Sequence, residues 1–225
     1  AIAESFGAKI GRYVPEDHPD DFLLIPDEKG SKQLSLANFA AARNLSFAMA
    51  KYPWIFWLDS DDSLGSLDHW WEMLRQFETE KMDGIVLPYE YARDERGKVI
   101  TLLWRERLIR WQPSWAWEGP VHETLPPFGR RLAAFEGVRV IHHKDKRRQP
   151  ILRRRNLEIL KAKGSPDDPR TLFYLGTEYT FVGEYKEAVA AFTRYLSLAK
   201  DEEETYQALF YLGDLFRVSG QWKEA

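Results

Sequence analysis

Residues 54 to 62 read WIFWLDSDD, an unbroken apolar run followed by three carboxylates, Asp59, Asp61 and Asp62, within four positions. A short apolar run bounded by turn-forming residues fits a buried strand. Upstream, SLANFAAARNLSFAMAKY (35–52) has the alanine content and apolar spacing of a helix, which must end before Pro53. Downstream, SLDHWWEMLRQFETEKM (66–82) predicts a second helix, while GIVLPYEYA (84–92), VITLLWRERLI (99–109) and RLAAFEGVRVIHH (131–143) predict strands. Strands interleaved with helices up to about Lys144 predict a layered α/β domain with a mostly parallel sheet. Residues 15–33, rich in Pro, Asp, Gly and Lys, predict a loop. The opening AIAESFGAKIGRYV predicts the last turns of a helix closed by Gly7, then a short strand.

Composition narrows the function classes. A net charge of −3 with 30% charged residues gives no overall bias toward nucleic acid or a membrane surface. The absence of cysteine removes disulfides, thiolate zinc sites and cysteine nucleophiles together, and fits a cytoplasmic home. No apolar stretch approaches the roughly 20 residues that span a bilayer.

Beyond Pro150 the pattern becomes continuously helical and repeats itself. LFYLGTEYTFVGEYKEA (172–188) aligns with LFYLGDLFRVSGQWKEA (209–225), so that Gly176 recurs as Gly213, Gly183 as Gly220 and Tyr185 as Trp222, an offset of 37 (213 − 176). Small residues where two helices cross and aromatics between them are the signature of stacked helical hairpins. The division is therefore a domain over 1–149 and a helical region over 150–225.

In an open α/β sheet ligands bind at the carboxyl ends of strands, where Asp59, Asp61 and Asp62 are expected. Crowded carboxylates repel unless a cation or hydrogen-bond donors neutralise them. Oxygen-only ligands suit Mg²⁺ or Mn²⁺ completed by substrate phosphates. The same residues also suit a solvated turn in which Ser60 or Asp62 caps the following segment. KDKRRQPILRRR (144–155), with seven basic residues, reads either as a solvated linker face or as an attractor for an anionic ligand. Trp111, Trp115 and Trp117 read as core or as a stacking platform for a sugar acceptor.

The ordered set A-A-R-N (41–44), W-I-F-W-L-D-S-D-D, W-E-G-P-V-H-E (117–123), I-H-H (141–143), R-R-N-L-E-I-L (154–160) and D-D-P-R (167–170) resembles the family-2 glycosyltransferases of the GT-A fold. The 37-residue repeat resembles the tetratricopeptide repeat, and the two together resemble transferases of this family with a tetratricopeptide tail. The resemblance implies a GT-A-like sheet followed by an all-α tail, and a chain lacking the family's first strand-helix-strand and the end of its second repeat. It implies inverting transfer of a sugar from a nucleotide-diphosphate donor to a glycan, lipid-linked glycan or protein, with Mn²⁺ or Mg²⁺ as cofactor. Asp59 would contact the donor's ribose and the metal, and Asp61 would ligate the metal. Arg43 would approach the nucleotide, with Asn44 supporting the loop beside it. Glu123 would be the general base, with Glu118 as second candidate, and His122 or His142 would supply a further metal ligand. The other function carried forward is a protein-interaction module, binding a partner or a second copy through its helical repeats, attached to a silent GT-A remnant.

Overall fold

The computed structural model describes residues 11–26, 31–126, 129–143, 149–199 and 201–219. In chain order its elements are β1 (Phe22–Pro26), β2 (Lys32–Leu36), α1 (Phe39–Ala48), β3 (Trp54–Phe56), β4 (Asp62–Leu64), α2 (Trp70–Thr79), β5 (Gly84–Arg93), β6 (Val99–Arg110), β7 (Leu132–Ala134), β8 (Val140–His142), α3 (Gln149–Lys163), α4 (Pro169–Val182), α5 (Tyr185–Leu198) and α6 (Glu202–Val218). None of these helices is long and apolar enough to cross a membrane. The described residues form two compact units: one from 43–118 and 124–143 with Gly11, the other from 12–42, Gly119–Glu123, 149–199 and 201–219. The division passes through α1, between Ala42 and Arg43.

The first unit is built on a sheet of order β3-β6-β5-β8-β4, with β7 also paired to β5. It is mixed, which corrects the expectation of a mostly parallel sheet. The β3–β6, β5–β6 and β4–β8 pairs are antiparallel, and β5–β7 and β5–β8 are parallel. The reason is the turn D-E-R-G-K (94–98), which folds β5 directly back on β6. Asp94 Oδ1 accepts from the backbone N–H of Arg96 at 2.9 Å and of Lys98 at 2.8 Å, while Gly97 adopts φ +81°. β3 alternates as a strand should. Ile55 and Trp57 are buried on one side of the segment, while Trp54 and Phe56 pack edge-on against Phe77 and Trp70 of α2. Met73 and Phe77 of α2 join Ile85, Leu87, Leu108, Val138 and Val140 in the core. Only three residues of the WIFWL run are regular strand, and the carboxylates follow it directly.

The second unit joins a strand pair to helices. Residues 22–36 hold the antiparallel β1–β2 pair, a correction to the loop expected over 15–33. That segment was read as loop because each strand is only five residues long and Pro26, Asp27, Lys29 and Gly30 punctuate the junction between them. Ile25 packs with Ala37, Val121, Ile159 and Leu160. α4 starts at Asp168, whose carboxylate accepts from Thr171 N at 2.8 Å, has Pro169 in its first turn, and stops at Gly183 with φ +83°. α5 returns against it. The approach is close because Gly176 has no side chain: a Cβ there would lie 2.7 Å from the Phe192 ring. α6 begins at Asp201, which caps Glu204 N at 2.8 Å, and carries Glu202, Glu203 and Glu204 in its first turn, favourable to the helix dipole. Leu172, Phe173, Ala188, Phe192, Tyr195 and Ala208 form the interior of these three helices. The segment paired with the second helix of the later repeat, from Trp222, lies outside the described residues, as do the predicted elements of residues 1–10.

Candidate functional site

The D-S-D-D segment closes as a turn between β3 and β4. Asp62 N donates to Asp59 O at 3.0 Å, and Asp59 N donates back to Asp62 Oδ2 at 3.2 Å. Asp62 is the first residue of β4 and lies opposite His142 of β8, so the two side chains are cross-strand neighbours. His143 N donates to Asp61 O at 2.8 Å, fixing the turn to the neighbouring strand.

Each carboxylate has a different fate. Asp62 is fully buried (side chain 0% exposed) and pairs with Arg107, 1% exposed, whose Nη1 lies 2.9 Å from Oδ2 as an ion pair without hydrogen-bond alignment. The Tyr89 hydroxyl donates to Asp62 Oδ1 at 3.0 Å, and His142 Nδ1 lies 3.2 Å from the same oxygen. Burial by itself would raise the Asp62 pKa. The hydrogen bond from His142, the Arg107 charge, the Asp59 N–H and the Tyr89 hydroxyl outweigh it and hold the carboxyl below its ordinary value. Burial, and then the Asp62 carboxylate it donates to, push the Tyr89 hydroxyl well above its ordinary range. Asp59 pairs with Arg43 at 2.6 Å. Asp61 is 54% exposed, and its Oδ1 stands 3.8 Å from His142 Nδ1.

The cations are held by aromatic faces. The Arg43 guanidinium lies over the rings of Trp117 (4.8 Å) and Trp57 (5.0 Å), and that of Arg107 over Trp57 (4.0 Å) and Tyr89 (4.3 Å). The His142 ring, in its turn, stacks on Tyr91 at 5.4 Å with 2° between the planes, a contact between two aromatic rings. Asn44 fixes Trp117 by its backbone, donating to Trp117 O at 3.0 Å and accepting from Trp117 N at 2.8 Å. Its amide therefore supports the loop and is not directed at a ligand. Trp115 and Trp117 are buried, so neither offers a face to a sugar acceptor. Both belong to the core, and Trp117 covers Arg43.

Among the described residues, one group has metal-ligand character: Asp61, Asp62 and His142, whose donor atoms lie within 4.8 Å of one another. Asp59 and His122, the other two expected ligands, lie outside it. Asp59 is engaged by Arg43. His122 belongs to the other unit, where it stacks on Tyr174 at 4.2 Å and its Nε2 meets Glu178 Oε1 at 2.8 Å. Its backbone has φ +52°, uncommon for a non-glycine residue, and its carbonyl accepts from Arg170 Nη2 at 2.7 Å. These contacts make His122 a structural anchor. Glu123 follows it, half-buried, in that same unit. Glu118 is exposed and forms a backbone bridge with Thr124 in the first unit.

The donor chemistry of the group fits a hard divalent cation at Asp61 and His142. The His142 nitrogen that faces both carboxylates is Nδ1, 3.2 Å from Asp62 Oδ1 and 3.8 Å from Asp61 Oδ1. A nitrogen donor favours Mn²⁺ over Mg²⁺. Arg107, Tyr89 and Trp57 were missed from sequence. Arg107 sits in W-R-E-R of β6, and its partner is 45 positions earlier (107 − 62). Its only local signal was a charge inside a run otherwise read as a strand. No family model matches the chain, and no curated protein matches it.

Proposed function

We propose that the chain takes part in inverting transfer of a sugar from a nucleotide-diphosphate donor, with a divalent cation at the D-S-D-D turn. One observation carries the reading: three carboxylates face two arginines, leaving one uncompensated charge (3 − 2), and it is the exposed Asp61 beside His142. A stabilising buried cluster has no need of that third carboxylate, whereas a cation shared with a diphosphate does.

In this reading Asp61 and His142 hold the cation, with the buried Asp62 beside them on the same turn. When bound, the cation stabilises charge on the departing diphosphate. Arg43, stacked on two indoles and paired to Asp59, sets a fixed guanidinium charge for the nucleotide. A general base takes the acceptor hydroxyl's proton as that oxygen attacks the anomeric carbon and the carbon–diphosphate bond breaks on the opposite face, the part that the resemblance gives to Glu123.

The test is calorimetric titration with a nucleoside diphosphate, with and without Mn²⁺. Binding that depends on Mn²⁺ in the native chain and loses that dependence in Asp61→Ala supports the assignment. Equal affinity with and without metal in both proteins sinks it. A second reading, a helical protein-binding module, rests on the exposure of Tyr206, Leu209 and Phe210 along α6. In that case nucleoside diphosphates do not bind at all.

A further inference from the structure

The geometry points to a second ligand site, within the unit that carries the helices: a pocket for an organic phosphate between the β1–β2 pair and helices α3 and α4. It is independent of the sugar-transfer reading and shares no residue with the D-S-D-D turn.

The pocket is a cavity of about 240 Å³, where a single water needs only about 10–15 Å³. Its basic wall is Arg153, Arg154 and Arg155 of α3, the end of the basic run that the sugar-transfer reading leaves unused. Among the described residues neither Arg153 nor Arg154 forms an ion pair. Arg153 is nevertheless ordered, because its guanidinium lies over the Phe181 ring at 3.6 Å. Stacking covers the face of a guanidinium and leaves its in-plane N–H fork open, the geometry that receives two oxygens of a phosphate. Arg155 is ordered too, donating from Nε and Nη2 to Asn156 Oδ1 at 3.2 and 2.9 Å.

The facing wall comes from the strands. Gln33 pairs in register with Ile25 and Ser35 with Leu23, so the four share one face. On that face Ile25 is buried against α3 with Leu23 packed beside it, while β2 contributes an amide and a hydroxyl. The wall is therefore apolar from one strand and hydrogen-bonding from the other, which suits a ligand with both kinds of group. Ile25, Phe181 and Val182 complete the lining with apolar surface, enough to hold a short hydrocarbon group but not to bind a bare ion preferentially. The ligand class is therefore a phosphate carried on an apolar body.

The experiment is titration of the whole chain, without nucleotide or metal, with three probes: pentyl phosphate, inorganic phosphate and pentanol, followed by calorimetry and amide chemical shifts. Pentyl phosphate should bind at least tenfold more tightly than either fragment and shift amides of Gln33, Ser35 and Phe181. Arg153→Gln and Arg154→Gln should each weaken it several-fold, with Arg154→Gln, at the more exposed position, keeping the native melting temperature. Inorganic phosphate binding as well as the ester overturns the apolar half of the proposal, and pentanol binding as well overturns the anionic half. Affinity unchanged in Arg154→Gln, or no binding of any probe at millimolar concentration, overturns the site. Asp61→Ala should leave this binding intact, which keeps it separable from the nucleotide reading.

Discussion

Arg107→Met tests how the D-S-D-D turn is held in place. The replacement keeps a long side chain between Trp57 and Tyr89 but removes the charge that faces Asp62. The carboxylate, 0% exposed, then retains the Tyr89 hydroxyl, His142 and the Asp59 N–H as partners. Removing one partner of a buried pair costs about 3–5 kcal/mol. The three surviving donors place this case at the lower end, about 3 kcal/mol. At about 2–4 °C per kcal/mol for a chain of this size, the melting temperature should fall by roughly 6–12 °C. Asp62→Asn combined with Arg107→Met removes both charges and should melt closer to the native chain than Arg107→Met alone, because no uncompensated ion remains. Thermal melts by circular dichroism of the native, two single and double variants measure the coupling. A shift of less than about 2 °C for Arg107→Met, or a double variant as unstable as the two single changes added together, would refute the reasoning.

Three further outcomes follow from the same contacts. Because the Asp62 pKa is depressed by folding from its ordinary 3.8, its stabilisation is complete above that value and is lost as pH falls through the lower folded value. In chelator-containing buffer Asp62→Asn should therefore flatten the acid limb of the stability profile, and an unaltered limb would contradict the assignment. Gly176→Ala adds a methyl 2.7 Å from the Phe192 ring, and overpacking of about 1–3 kcal/mol should exceed the helix-propensity gain of about 1 kcal/mol, lowering the denaturation midpoint. Glu123→Gln should leave nucleotide binding intact and lower sugar transfer by roughly 10²-fold, while Glu118→Gln should not; the reverse pattern would make Glu118 the base.

The strands of the first unit were legible where the apolar pattern is long. GIVLPYEYA and VITLLWRERLI correspond to β5 and β6 almost residue for residue. Their direction was written too, in D-E-R-G-K, but alternation with helices was given more weight than that turn, and the sheet was expected to be mostly parallel. The helix over 35–52 contracts to Phe39–Ala48 because Asn38 Oδ1 accepts from Ala41 N at 3.1 Å, a cap inside the apolar pattern. β1 and β2 were not legible, since each is only five residues long and Pro26, Asp27, Lys29 and Gly30 crowd the junction between them. The carboxylates and His142 were found from the motif. Of the two arginines that neutralise carboxylates, Arg43 was named from the motif, whereas Arg107 depends on β6 lying beside β3, a long-range pairing that no local window records.

That division differs from both simple pictures of WIFWLDSDD. A solvated turn would leave three exposed acids, and a simple buried cluster would leave none. Instead, Trp117, Arg43, Trp57, Arg107 and Tyr89 alternate as ring and cation, and this stack fixes Asp59 and Asp62 at the two guanidinium groups. Side chains held this way have little rotamer entropy left to lose on binding. Asp61 is outside the stack, tethered through its backbone to His143 and exposed through its carboxylate. A rigid frame with one acid left toward solvent beside an imidazole concentrates the turn's net negative charge at a single accessible point. The strand supplies the rigidity, the two arginines cancel what would otherwise repel, and the third carboxylate stays accessible to solvent.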